Sequence, residues 1–286
     1  MVTRALVLGG GGTIGIAWET GLLAGLARAG IDLGRAERIV GTSAGSVVGA
    51  QLALGLPLEQ MLAQQLAPLD PGYDRPIAVD PQQFMALAQL LMQGEANDPN
   101  LLARIGQFAL SATTVDEASY LERFAVLRDV PWPARDLRIT SIDTANGALQ
   151  VWTRDSNVPL QLAVAASCAV PGIFPPVTIN GRRYMDGGMR SDTNADLAQD
   201  AAIVLIVKPI PSQGLVPGMS RAPQLTAEVE RLRAAGSRVE VIEPDGAALA
   251  AFGTDLMDVT RRQAVAEAAL RQAQQVAERV HRFWQG

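Results

Sequence analysis

Histidine, cysteine and lysine each occur once in this sequence, as His281, Cys168 and Lys208. A lone cysteine cannot close an intramolecular disulfide, which fits a reducing cytoplasm. With one histidine beside it there is no Cys/His metal framework, so no metal and no cofactor is expected. Long apolar runs are also missing. Ala5 to Leu8 is the apolar stretch nearest the start, too short for the core of a signal peptide, and no segment reaches the roughly 18 to 20 residues that span a bilayer. A cytoplasmic location is expected, with any membrane contact peripheral. The net charge is −5, and clustered Lys and Arg are lacking, which argues against nucleic acid as a partner. Arginine in place of nearly all lysine, together with abundant alanine, fits a GC-rich bacterial genome.

What is present is the composition of a packed protein, 48% hydrophobic and 19% charged over 286 residues. A single domain over residues 1–286 is expected. Ala5 to Leu8, a glycine loop, a helix through about Ala29 and the strand Arg38 to Val40 follow βαβ logic, and a second helix follows over Ala44 to Leu54. This predicts an α/β fold with a mainly parallel sheet. A helical insert is read over approximately 56–130, where Met61, Leu62, Leu66, Leu87, Leu90, Leu91, Leu101, Leu102 and Ile105 recur at helical spacing. Two hairpins carry Asn-Gly turns: Leu137 to Ile142 with Leu149 to Trp152, and Val177 to Ile179 with Arg182 to Met185. A helix near Ala195, a strand Ile203 to Val207, a helix Leu225 to Ala235, a strand Val239 to Ile242 and a closing helix from about Arg261 to Phe283 complete the reading.

The loop Gly10-Gly11-Gly12-Thr13-Ile14-Gly15 fits G-x-G-x-x-G between a strand and a helix. A dinucleotide site would need an acidic residue closing the second strand, but that strand runs into Gly41-Thr42-Ser43. Free amides at a helix N-terminus stabilise an oxyanion as readily as a phosphate, so the loop also suits acyl chemistry.

Gly41-Thr42-Ser43-Ala44-Gly45 fits G-x-S-x-G on a strand-to-helix turn, where small neighbours allow a nucleophilic serine to stand above the sheet. Its base must come from elsewhere. His281 sits late in the closing helix with Glu278 one turn away and reads as a surface residue, which leaves a carboxylate. Asp143, Asp155 and Asp192 are rivals, while Asp186 stands at a hairpin tip before Gly187 and Gly188, whose lack of side chains admits a substrate or another backbone. Cys168, in the small-residue run Ala165 to Ala169, reads as core.

These blocks in order, with the segment Ala165 to Val177 between the last two, resemble the patatin-like phospholipase family over about residues 2–207. The resemblance implies a three-layer α/β/α fold and metal-free hydrolysis of lipid acyl esters by a Ser43–Asp186 dyad, with the amides of Gly10, Gly11 and Gly12 as oxyanion hole and Gly15, Gly41, Gly45, Gly187 and Gly188 as supports. The chain departs from the family twice. Ile14 replaces a common arginine and is expected to leave the glycine loop less firmly held, so that Ile14→Arg would raise turnover. Met189 to Asn194 replaces an Asn-x-Pro run that supports the aspartate. A silent lipid-binding or regulatory protein with the same fold is the alternative reading. The Phe84 to Met92 part of the insert is expected to cover an acyl pocket or touch lipid, in which case Leu87→Asp or Leu91→Asp would cut long-chain ester hydrolysis more than short-chain, while each of these residues taken singly reads as core.

Overall fold

A computed structural model describes residues 2–70, 76, 77, 79–95, 97–214, 220 and 222–285. Residues 71–75, 78 and 96 of the predicted insert lie outside the described residues. The chain begins β1 (Val2–Leu8), α1 (Gly12–Arg28), β2 (Arg38–Gly41) and α2 (Ala44–Ala53). Among the described residues four α-helices then precede the next strand: α3 (Leu58–Leu66), α4 (Pro81–Leu91), α5 (Pro99–Ser111) and α6 (Glu117–Leu121). The remainder is β3 (Asp136–Asp143), β4 (Leu149–Trp152), α7 (Leu160–Ser167), β5 (Val177–Ile179), β6 (Arg182–Asp186), β7 (Ala201–Val207), α8 (Ala222–Ala234), β8 (Arg238–Ile242), α9 (Gly246–Phe252) and α10 (Arg262–Gln285).

The eight strands form one sheet in the order β5-β6-β3-β2-β1-β7-β8, with β4 also paired to β3. β1 is parallel to β2 and β7, as are β2 to β3 and β7 to β8, while β3, β4, β5 and β6 pair antiparallel. The sheet is therefore mixed and mostly parallel.

Alternation along the strands sorts side chains onto two faces. Leu6 and Leu8 of β1, with Leu205 and Val207 of β7, join the core against α1, α2 and α10. Ala5 and Val7, with Val204 and Ile206, face Leu225, Val229 and Leu232 of α8. Helices thus cover both faces, giving the three-layer arrangement expected.

Two Asp-Pro pairs start helices of the insert. Asp80 accepts from the Gln82 amide at 2.8 Å and Asp98 from the Asn100 amide at 2.9 Å. The proline that follows each has no N–H to leave unsatisfied at the first helical position. Helix α4 then buries Leu87 against a cluster that includes Leu101, Ile105, Ile142 and Met185. Leu87 is therefore core, and its burial stabilises the fold by about 2 kcal/mol. The outward apolar residues of this helix are Phe84 and Met85, both exposed.

Three local expectations also change. The helix near Ala195 is a single 3-10 turn, Ala195–Ala198. Helices α7 and α9 were not anticipated. Helix α7 begins at Pro159 without a side-chain cap and is built from Leu, Gln, Ala and Val, so it lacks a polar start signal.

Candidate active site

β1 and β2 end side by side, with Leu8 opposite Gly41. The loops leaving them therefore emerge together on one edge of the sheet, and the helices that follow converge there. The closest approach is at Gly45, whose amide donates to the Gly9 carbonyl at 2.9 Å. A Cβ on Gly45 would fall 2.1 Å from the Leu8 carbonyl oxygen, so no larger residue fits. Gly41 is confined in the same way by the Gly45 carbonyl and Ser46, and Gly15 packs against Ala44.

Ser43 stands at the turn between β2 and α2 with φ 53° and ψ −119°. A serine in this region is strained by about 1 to 3 kcal/mol, and such strain persists only where neighbours over-determine it. They do so here. The Ser43 amide donates to Ser167 Oγ at 2.9 Å. Its carbonyl accepts from Ser46 Oγ at 2.7 Å and from Cys168 Sγ at 3.3 Å. The Ser43 hydroxyl makes no capping bond to α2, which leaves it for other chemistry at the helix N-terminus.

The glycine loop lies against this serine. A Cβ on Gly10 would stand 3.5 Å from Ser43 Cβ. The Gly10 amide, however, donates to the Asp192 carbonyl at 2.7 Å. Of the three amides expected at the oxyanion hole, that of Gly10 is therefore engaged within the protein. Among the described residues, the amides of Gly11 and Gly12 have no backbone partner. Gly12 has φ +61°, and a Cβ there would meet the Leu256 carbonyl oxygen at 2.7 Å, so glycine is required on both counts.

Ile14 does not weaken the loop from outside. Its side chain is fully buried in the main core, and its amide donates to the Leu256 carbonyl at 3.1 Å. A guanidinium in that place would have to be desolvated without a partner, at a cost of several kcal/mol. Ile14→Arg would therefore disrupt packing before it could stiffen the loop.

Asp186 ends β6 and is 2% exposed. Its amide donates to the Ala169 carbonyl at 3.0 Å, and its Oδ1 accepts from the Gly188 amide at 2.7 Å. Gly187 lies on Thr140 of β3, where a Cβ would collide with Oγ1 at 2.3 Å. The Asp186 charge raises the pKa of both Cys168 and Tyr120, each after the larger effect of burial. Cys168 in turn touches the Ser43 carbonyl, so this thiol is a common neighbour of the two expected catalytic residues.

Two of the rival carboxylates are paired with cations and the third is exposed. Asp143 pairs with Arg182 at 2.5 Å and accepts from the Ala145 amide. Asp155 is exposed in the 3-10 turn Arg154–Ser156. Asp192 pairs with Lys208 at 3.2 Å. His281 is exposed near the end of α10, where the Trp284 carbonyl accepts from Arg4. Arg4 lies toward the start of β1, and Ser43 follows the opposite end of the neighbouring parallel strand.

Two residues at the site carried no signal in the sequence. Ser167, the last residue of α7, holds the Ser43 amide. Asn194, in the left-handed conformation with φ 48°, donates through Nδ2 to Thr42 Oγ1 at 3.0 Å, Thr140 Oγ1 at 3.3 Å, the Gly187 carbonyl at 3.3 Å and the Ser191 carbonyl at 2.9 Å. It joins the serine strand to the aspartate loop, so the segment replacing Asn-x-Pro still supports Asp186.

A cavity of about 890 Å³ lies between the insert and the loop Gly172 to Phe174. Its lining is mostly apolar, with Arg123 placed 5.7 Å from the Phe174 ring centre. Tyr120 stacks on Phe174 with ring centres 4.8 Å apart. Neither Ser43 nor Asp186 lines this cavity. Among the described residues no helix is long and apolar enough to cross a membrane.

A family model described as patatin-like phospholipase matches residues 6–198. Among solved structures the chain is similar to VipD from Legionella pneumophila, at 14% identity and a TM-score of 0.46, with 97% of this chain and 67% of VipD covered. It is also similar to the type III effector protein ExoU, at 16% identity and a TM-score of 0.38, with 96% and 53% covered. The full-length complex of ExoU with SpcU from Pseudomonas aeruginosa gives 17% identity and a TM-score of 0.40, with 100% and 53% covered. The chain spans about two thirds of VipD and about half of ExoU. No curated protein matches it.

Proposed function

The chain belongs to the patatin-like phospholipase family, and on that premise we propose that it hydrolyses lipid carboxylic esters through an acyl-enzyme on Ser43. The observation that carries this reading is the strained backbone of Ser43 at the start of α2, set against a glycine loop. Strain of this kind in a serine whose hydroxyl caps nothing is what a nucleophile on a tight turn requires.

In the proposed reaction the Asp186 carboxylate takes the Ser43 proton as Oγ bonds to the ester carbonyl carbon. The carbonyl π electrons move onto oxygen, and the amides of Gly11 and Gly12 hold the resulting oxyanion. Collapse of this intermediate expels the alcohol, which takes the proton back from Asp186. Water then gives a proton to Asp186 as its oxygen bonds to the acyl carbon, and the second intermediate collapses to the acid as Ser43 Oγ leaves and takes that proton back from Asp186. No metal or cofactor enters these steps.

The lipid surface is approached through the insert. The large hydrophobic side chains exposed among the described residues all fall between Leu69 and Val126. Residues 56–130 contain ten acidic and four basic residues, a net −6 that would be repelled by anionic lipid. A peripheral contact with uncharged or zwitterionic lipid fits both facts.

A fluorophosphonate should label the protein on Ser43, and Ser43→Ala should lose both the label and hydrolysis of a short-chain ester. Labelling of another serine, or hydrolysis that survives Ser43→Ala, would reject the mechanism. A folded protein with no turnover and no label would instead support a silent lipid-binding role.

A further inference from the structure

One short segment, Ser191 to Asn194, touches each of the three motifs. Asn194 joins the serine strand and the aspartate loop, as described, and the Asp192 carbonyl receives the Gly10 amide at 2.7 Å. The same carbonyl lies beside Gly9, where a Cβ would come within 3.1 Å of it. The glycine loop is thus fastened to this segment by the backbone of Asp192.

What fastens Asp192 is its own side chain. Its carboxylate faces Lys208 Nζ at 3.2 Å, with side chains only 9% and 1% exposed. Lys208 directly follows β7 and is fixed twice more. Its amide donates to the Ile242 carbonyl of β8 at 2.9 Å, and its ammonium also reaches the Ile210 carbonyl. The Val207 carbonyl just before it accepts from the Gly9 amide at 3.0 Å. The sequence's single lysine therefore sits inside the protein, tied to two strands of the sheet and to the segment that grips the glycine loop.

A buried ion pair is poor evidence of stability, because desolvation offsets much of the attraction; its better-attested use is to fix one arrangement. We propose that Lys208 and Asp192 are positioning residues for the oxyanion loop. By holding the Asp192 carbonyl on the Gly10 amide they set the next peptide planes, and hence where the Gly11 and Gly12 amides point. The proposal rests on the hydrolase reading above.

The test uses the full-length protein with Lys208→Met, Asp192→Asn and the double variant. Lys208→Met should lower Tm by removing the cation that faces a buried carboxylate, and the double variant should recover most of that loss. In the double variant kcat on a soluble short-chain ester should still be about 10- to 100-fold below wild type, with KM within about threefold. Its Gly10 amide should exchange with deuterium about tenfold faster or more, while that of Leu6 in β1 stays protected. If kcat and Gly10 protection both return to wild type along with Tm, the pair is merely structural and the proposal is overturned. If the wild type shows no Ser43-dependent hydrolysis, the hydrolase reading has failed, and the exchange of Gly10 alone decides whether the clamp exists.

Discussion

The thiol of Cys168 donates to the carbonyl oxygen of Ser43 across 3.3 Å. It shares that acceptor with the Ser46 hydroxyl at 2.7 Å. Cys168 is half-buried, and its desolvation, reinforced by the Asp186 charge, pushes its pKa up. The group therefore stays an S–H donor and is not a nucleophile. Alkylating reagents at about pH 8 should leave Cys168 unmodified until the protein unfolds. Cys168→Ala should keep kcat within about threefold of wild type, because the weak thiol bond is backed by the stronger one from Ser46. Rapid alkylation of the folded protein, read by mass spectrometry, would contradict this.

The dyad predicts a non-additive pattern. Ser43→Ala and Asp186→Asn should each lower kcat by about 10³-fold or more, with the double variant little worse than either, since the proposed mechanism makes the two one unit. His281→Ala should match wild type, because this exposed residue lies toward the other end of the neighbouring strands. Steady-state kinetics on one soluble ester, with circular dichroism to verify folding, checks all four variants. An inactive His281→Ala beside an active Asp186→Asn would restore a Ser–His mechanism.

Glu19 in α1 is fully buried, and burial raises its pKa well above 4.5, with the Gly9 amide opposing the shift. The folded state thus holds the proton more tightly than the unfolded chain. Its contribution is most favourable below the unfolded value and is lost as pH rises toward the folded one. Glu19→Gln removes this titration. The Tm of the variant relative to wild type should therefore rise as pH increases above about 4.5, the unfolded value. Parallel Tm curves for the two proteins across that range would show that Glu19 is not held neutral.

Phe84 and Met85 are exposed on α4, so charges placed there disturb no core. Phe84→Glu with Met85→Glu should leave hydrolysis of a dissolved short-chain ester within about twofold and lower hydrolysis of zwitterionic vesicles about tenfold. Leu87→Asp should instead lower Tm sharply, because that side chain lies inside the protein. Equal losses on dissolved and vesicular substrate in the double Glu variant would remove the insert from lipid contact.

Features made by neighbours in sequence were legible from the sequence. The strands read correctly because Leu6, Leu8, Leu205 and Val207 belong to short apolar runs. The serine turn read correctly because Gly41, Gly45 and the hydroxyl between them lie within five residues. Features made by distant partners were not legible. The Gly10 amide looked free until the Asp192 carbonyl came to it from far along the chain. Asn194 looked like part of a missing motif, yet its contacts come from Thr42, Thr140 and Gly187 on other elements. Leu87 had the right helical spacing, but spacing alone does not say which side of a helix faces the protein.

Lys208 carries the only lysine ε-amino group in the sequence, and that group is 1% exposed. An amine-reactive reagent in the solvent would find no other lysine to acylate and could reach this one only when the surroundings of its ammonium, Asp192 and the Ile210 carbonyl among them, open. The mass gained by the peptide bearing Lys208 would then act as a clock for that opening. It would need no introduced label and would run independently of any substrate.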